Sequence, residues 1–321
     1  MSTTSVERPA ERLRERPPAG ARGERWRRWG IGWAFVAPAV VLFLLMGGYT
    51  IASGFLLSFA KWNGFTPDWR WVGLGNYADL LYADPSLAAD LRRAAGNTVQ
   101  VMVAVPVLTV VVSLPLAMML NSVTRLRAVL RSVYFLPYVT TGIAVYYAWR
   151  YVLEPDGAIN LMLGSLGLGS LRQPQGFLGN PDTALPTLIV VLVWSSVPVA
   201  TLLYLSGLQA INGNLIEAAR IDGAGSWHVL RHIIWPLLRP ITVAIVLLGI
   251  RDTLHGFQIF LVATNGGPGG HTDVFGLMAY RLAFMKGLAP SLGHASALGW
   301  LLFAGAVLLT LANARLLRRV Q

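Results

Sequence analysis

The 321-residue sequence contains no cysteine, so neither a disulfide framework nor a thiolate metal site is open to it. Charge is also scarce: 13% of residues are charged and 55% hydrophobic, whereas an ordinary soluble domain carries roughly 25% charged residues. A water-soluble core cannot absorb that much apolar surface. Lysine is nearly missing, with only Lys61 and Lys286 beside 24 arginines. No stretch has the spacing G-x-x-x-x-G-K-[ST], and neither lysine stands in a suitable context, so the chain lacks that means of cradling nucleotide phosphates. The five histidines are His228, His232, His255, His271 and His294. They are scattered, and only His228 and His232 can share a helix face, without the acidic third ligand of a zinc site. No serine occupies a nucleophile elbow. The expectation is a chain with no catalytic residue, no metal and no cofactor of its own.

What is abundant is uninterrupted apolar sequence. Crossing hydrocarbon takes about 20 helical residues. Charge-free runs cover 31–60, 94–124, 132–149 and 183–216. A fifth follows Pro240, interrupted by the adjacent Arg251 and Asp252, and a sixth begins near Gly293. The runs are continuous rather than alternating, which predicts helices and not a barrel. The reading is an all-α integral membrane protein with six spans near 31–58, 98–120, 130–151, 184–208, 241–263 and 293–313. Residues 1–30, rich in Arg, Glu and Pro, form a basic disordered tail, and 31–321 form the transmembrane domain. The first run is too long for a cleaved signal peptide and reads as an anchor. Residues 73–93, less polar than a plain loop, suggest a short helix lying on the outer surface.

Six spans place both termini on one side with the second-to-third and fourth-to-fifth loops. That side carries 17 of the Lys and Arg residues against eight on the other, Arg251 lying within the membrane. The excess positive charge puts both termini in the cytoplasm. The same side has six acidic residues, so 17 less 6 accounts for the entire formal charge of +11. A rim facing membrane lipid explains the basic balance, and nucleic acid is not needed as a partner.

The loop between the fourth and fifth spans, 214–240, is the informative one. Asn214 with Glu217 three residues on resembles a capping box. Ala218 and Ala219 extend the helix, and Gly223 permits the turn that ends it. Ser226 can cap a second helix with an apolar face of Val229, Leu230 and Ile233. Pro236 and Pro240 are expected to redirect the chain into the fifth span. The outcome is a short, rigid, partly apolar cytoplasmic projection.

Glu217-Ala218-Ala219, then Asp222-Gly223-Ala224, then Ile233-Ile-Trp-Pro236 with Pro240 resemble the EAA loop of ABC-importer permeases, the coupling helix that docks in a cleft of the ATPase subunit. Gly73-Leu-Gly-Asn-Tyr77, Asn97-Thr98, Phe135-Leu-Pro137 and Thr264-Asn-Gly266-Gly267-Pro268, followed by Thr272, extend the likeness over nearly the whole chain. They point to the carbohydrate branch, the maltose and glycerol-phosphate type. The Gly-Gly-Pro segment and the ending at Leu316 to Gln321 resemble the first of that branch's two permease types. Trp235 and Leu230 depart from the usual residues but remain apolar docking residues. The resemblance implies the type I ABC-importer permease fold and a multi-pass place in the cytoplasmic membrane. It implies a second, different permease chain, two ATPase subunits that bind ATP and Mg, and an extracytoplasmic solute-binding protein. Glu217 and Asp222 would make the polar docking contacts, with Ala218, Ala219 and Gly223 allowing close approach.

The cargo path is read from the spans. Arg251, His255 and Gln258 recur at i, i+4 and i+7, which places polar groups on one helix face at membrane depth. With Asp252 they either pair with neighbouring helices or hydrogen-bond a polyhydroxylated cargo. Trp194, Ser195 and Ser196 could add a stacking ring and hydroxyls, or could be packing; Tyr146 and Tyr147 are weaker candidates. Sugar is the expected cargo, with a polyol or a glycerol phosphate ester as alternatives. An ion-coupled secondary carrier has only Asp252 in its favour, and a membrane-embedded enzyme lacks a catalytic constellation.

Overall fold

A computed structural model describes residues 21–122, 135, 138, 140, 142–285 and 291–318. It is mostly helical. Four helical stretches among these residues are long and apolar enough to cross a membrane: Gly32–Leu57, Pro85–Ser122, Pro181–Ala210 and Ser226–His255. Two shorter apolar helices, Phe275–Phe284 and Leu292–Val307, follow. Residues 1–20 of the expected tail, and 123–134 at the start of the expected third span, lie outside the described residues.

The chain divides into two compact units, residues 1–54 and 55–321. In the first, α1 (Ala21–Leu42) continues through a π-helical stretch, Phe43–Gly48, into α2 (Tyr49–Leu57), which crosses the boundary. The expected disorder up to residue 30 is corrected: the backbone is helical from Ala21, because Arg and Glu support a helix as readily as a coil. The apolar side chains of this unit are bare, Phe35 at 83% and Met46 at 72% exposure.

The second unit opens with a small antiparallel ribbon, β1 (Ala60–Lys61) with β2 (Arg70–Trp71), a local exception to the all-α expectation. The outer helix expected over 73–93 is shorter. It comprises α3 (Gly75–Ala78) and a π turn, Asp79–Ala83, before α4 (Pro85–Ser122) begins. Asp84 starts α4 by accepting from the Ser86 and Leu87 amides at 2.9 and 3.2 Å and the Ser86 hydroxyl at 2.6 Å. The Ser86 hydroxyl, then the Leu87 amide, holds its carboxyl below the usual value.

Helix α5 (Ile143–Val152) and α6 (Ala158–Ser165) lead to α7 (Pro181–Ala210), which is capped by Asn180 and packs along α4. Then come α8 (Gly213–Ile221), α9 (Ser226–Val229), a π stretch Leu230–Ile234, and α10 (Trp235–His255). Pro236 and Pro240 do not redirect the chain, which is a correction. Helix runs from Ser226 to His255, and the π stretch widens the turn where proline lacks an N–H and its ring would crowd the preceding carbonyl. The last elements are α11 (Gln258–Ala263), α12 (Phe275–Phe284) and α13 (Leu292–Arg318).

Three apolar clusters hold the second unit together. One joins Val101 and Val105 of α4 to Leu185, Leu188 and Ile189 of α7 and to Ile259 and Phe260 of α11. Another joins Leu114 and Ala117 of α4, Tyr204 and Leu205 of α7, and Leu238 and Ile245 of α10, reaching down to Val229. The third sets Leu91 and Ala94 against Met278, Ala297 and Leu298.

Candidate coupling loop and polar face

Helix α8 starts two residues earlier than the capping-box reading predicts. Asn212, not Asn214, is the cap, its side-chain oxygen accepting from the Asn214 amide at 3.0 Å. The far end follows from backbone geometry. The Ala224 amide donates to Ala219 O at 2.9 Å and the Gly223 amide to Arg220 O at 3.0 Å, while Gly223 has φ of +85°. That is a Schellman turn, which lets a helix stop within one residue and leave its last carbonyls satisfied. Ala219 and Ala224, the two ends of the turn, both pack against the core cluster below. Ala219 and Ala224 therefore have a packing reason for their size, and Gly223 a conformational one. Ser226 is the first residue of α9 rather than its cap, which is Gly225 and makes no side-chain cap bond.

The projection shows a different apolar face from the one the pattern predicts. Val229 is buried, and Leu230, Ile233 and Trp235 pack against the protein's own core, so Leu230 and Trp235 are not outward docking residues. What faces out is Ile221, 86% exposed, and Trp227, 70% exposed, beside the exposed Glu217, Ala218 and Asp222. A concavity of about 440 Å³ opens between the two short helices, lined by Ala219, Asp222, Gly223, Ala224, His228 and Ile233 among others. Pro236, in the helix beyond, is only partly exposed. The His228 and His232 rings stack at 4.1 Å, and no cluster of three metal-ligating side chains occurs among the described residues.

The predicted polar face is broken. Helix α10 ends at His255, and Gln258 starts a separate helix after Gly256 and Phe257. A seven-residue interval across that break does not place Gln258 on one continuous face with Arg251 and His255. Arg251, Asp252, His255 and Gln258 are all exposed, and among the described residues Arg251 and Asp252 form no ion pair. Trp194 meets Trp149 edge to face at 5.2 Å. The Ser195 and Ser196 hydroxyls donate to Leu192 O in their own helix, at 2.9 and 2.8 Å.

Beyond α11 the segment from Thr264 to Asp273 is tightly tied. Asn265 and Gly266 have positive φ and the Gly267–Pro268 bond is cis. Thr272, fully buried, donates to Gly267 O at 2.7 Å and lies 2.6 Å from the Thr264 hydroxyl. Asp273 pairs with Arg281. The contacts that pattern reading missed come from α4: Arg93 donates to Gly269 O at 2.7 Å, Asn97 to Gly270 O and Asp273 O at 3.2 and 2.8 Å, and Thr98 accepts from the Phe275 amide at 3.0 Å. Replacing Asn97 by Leu strands two carbonyls, a loss of about 1–3 kcal/mol where such a group is buried. The expected result is faster limited proteolysis within 264–273, with cleavage elsewhere unchanged.

These helices, apolar and several of them long enough to cross a bilayer, define a membrane-embedded, multi-pass protein with a capped projection. The fold is also that of a bacterial ABC transporter involved in the import of the acidic polysaccharide alginate. The alginate transporter chain is 23% identical, with a TM-score of 0.73 over 94% of this chain and 99% of that one. The family model for binding-protein-dependent transport system inner membrane components matches residues 89–321, and the chain belongs to that family. It is a transport component and not an enzyme. The trehalose/maltose transport system permease protein MalF of Thermococcus litoralis is 31% identical over 258 residues, 80% of this chain and 84% of that protein. The diacetylchitobiose uptake system permease protein NgcF of Streptomyces coelicolor is 28% identical over 313 residues, 92% of this chain and 86% of that protein.

Proposed function

We propose that the chain is one permease of an importer that carries a sugar or related polyol across the cytoplasmic membrane. It crosses that membrane six times with both termini in the cytoplasm, and it opens by alternating access driven by separate ATPase subunits that bind ATP and Mg. The observation that carries the reading is the projection at 213–236. Its helix is stopped by a Schellman turn and its Ile221, Trp227, Glu217 and Asp222 are presented outward, the surface a docking cleft requires. Four long apolar helices and the basic balance of the loops support the topology. The names of the sugar-system relatives support the cargo. A second permease subunit suits the outward stripe Val99, Val103, Val107 and Val111 of α4, each more than half exposed and spaced by one turn. An extracytoplasmic binding protein suits the tied Gly266-Gly267-Pro268 segment.

Co-purification with an ATPase subunit and ATP-dependent uptake of sugars into reconstituted vesicles test the reading. A vesicle that accumulates sugar on a pH or sodium gradient without ATP would sink it. For the path itself, Arg251 and Asp252 lie exposed in a span where charge is costly unless it faces a cavity or a partner. Arg251→Ala is expected to cut uptake by about tenfold and Gln258→Ala by roughly several-fold, or to change cargo preference, since a hydrogen bond to a charged group contributes about 1.5–3 kcal/mol and a neutral one about 0.5–1.5. Unchanged rates and preference in assembled complexes would assign both residues to packing.

A further inference from the structure

A concavity of about 360 Å³ opens between the end of α5 and the Thr264–Pro268 segment. It lies at the end of the bundle opposite the coupling projection. Its wall at 175–179 precedes the first residue of α7, whereas the projection follows the last, and the intervening 30 residues span about 45 Å of helix. We propose that this concavity is a subsite for a polyhydroxylated cargo at the outer mouth of the path. The proposal rests on the transport reading above.

Arg150 and Glu154 stand four residues apart where α5 ends, and both line the concavity together with Gln175. They form no ion pair with each other among the described residues. Among the described residues Arg150 makes one long hydrogen bond, 3.4 Å to Val262 O, which leaves most of its five donors available there. The Glu154 carboxylate has no hydrogen-bond partner among the described residues. A guanidinium, a carboxylate and an amide facing one space match neighbouring hydroxyls, each of which donates and accepts at once. Leu178 and Pro268 supply apolar surface for the C–H faces of a ring. A solute carrying several charges of one sign would meet either Arg150 or Glu154 unfavourably, and an apolar solute would desolvate unpaired charge. The volume sits near the lower end of ligand pockets, roughly 300–1,000 Å³, which suits a small saccharide.

The wall is preformed. Asn160, 1% exposed, donates to Pro155 O and Gln173 O, each at 2.9 Å, and accepts from the Gln173 amide at 3.0 Å. The Phe177 amide donates to Leu153 O at 3.0 Å. Residues 153–177 are thereby fixed as one unit before any ligand arrives, which lowers the ordering cost of binding.

The test uses the full chain assembled with its partner subunits, and the Glu154→Gln and Gln175→Ala variants, in two measurements. The first is binding of a panel of neutral mono- and disaccharides to the complex without its binding protein, by saturation-transfer NMR. The second is uptake and ATPase stimulation in vesicles. Expected are loss of the saturation-transfer signal, a several-fold drop in uptake and a changed ranking of sugars, with ATPase stimulation by the loaded binding protein unaltered. Wild-type complex showing no sugar signal overturns the subsite even where uptake is robust. So do variants whose affinity for the binding protein falls equally with every sugar, because that marks a protein-docking surface. Wild-type vesicles that take up no sugar on ATP would count against the transport reading, and the binding measurement would still decide the subsite.

Discussion

Replacing Gly223 by Leu is expected to abolish ATP-driven uptake while leaving the chain folded. The φ of +85° at this position costs an L-residue about 1–2 kcal/mol, too little to unfold a helical bundle held by three core clusters. Nor is space the obstacle within the chain, because a Cβ at Gly223 meets no atom within 4 Å. The added side chain instead enters the open concavity of the projection, where an ATPase subunit would dock. A well-packed docking contact of this kind is worth roughly 3 kcal/mol, or about a 100-fold loss of coupling. Gly223→Asn separates the two effects, since asparagine tolerates the left-handed conformation and keeps the turn. Its uptake should lie between wild type and the Leu variant, with thermal stability near wild type. Co-purification of the ATPase subunit with each variant gives the direct measure. Wild-type uptake in the Leu variant would remove the projection from coupling.

Helix over a long apolar run is readable from length and composition, as at Pro181–Ala210; the number of membrane crossings is not. Other features depend on register, which a single sequence leaves open. Asn212 and Asn214 are equally good caps by residue type. The choice between them is made by the Asn214 amide pointing back at Asn212. A π stretch at Leu230–Ile234 adds a residue to a turn, so a 3.6-residue count loses register beyond it. The docking role of Leu230 and Trp235 comes from the resemblance alone, and both pack inward; Ile221 and Trp227 lie before the π stretch, and their exposure is set by the turn between α8 and α9, which no residue-type pattern encodes. The break after His255 similarly separated Gln258 from a face that a fixed period had joined. Partnerships across the chain were the least legible. Asn97-Thr98 and the Gly-Gly-Pro segment each stood out locally, yet the side chain of Asn97 bonds Gly270, 173 residues away, and no spacing rule encodes that.

Gly293→Ala should be the most destabilising single methyl addition among these sites. A Cβ at Gly293 would lie 2.1 Å from the Ala60 carbonyl oxygen and 2.8 Å from Asn76 Nδ2. Neither neighbour is the free end of a flexible side chain. Ala60 is 1% exposed and paired in the β ribbon, and Asn76, also 1% exposed, donates both amide hydrogens, to Ser58 O and Ala60 O at 2.9 Å. The methyl therefore has to push α13 away from the ribbon or open the Asn76 clamp. Overpacking costs about 1–3 kcal/mol and each stranded buried carbonyl about 1–3 kcal/mol more, so a loss of about 3 kcal/mol or greater is expected. Gly299→Ala, six residues along the same helix, meets nothing within 4 Å and serves as the control. Thermal unfolding in detergent should show a clearly lowered midpoint for Gly293→Ala and none for Gly299→Ala. Asn76→Leu should reproduce much of the loss by stranding the same two carbonyls. The joint gives a reason for the Gly73-Leu-Gly-Asn-Tyr77 segment that follows the first span. Asn76 and Tyr77, the latter donating to the Ser58 hydroxyl at 2.8 Å, tie α3 to residues 58–60, and glycine at 293 lets α13 approach that joint. Equal midpoints for the two alanine variants would mean that this approach is looser than the geometry requires.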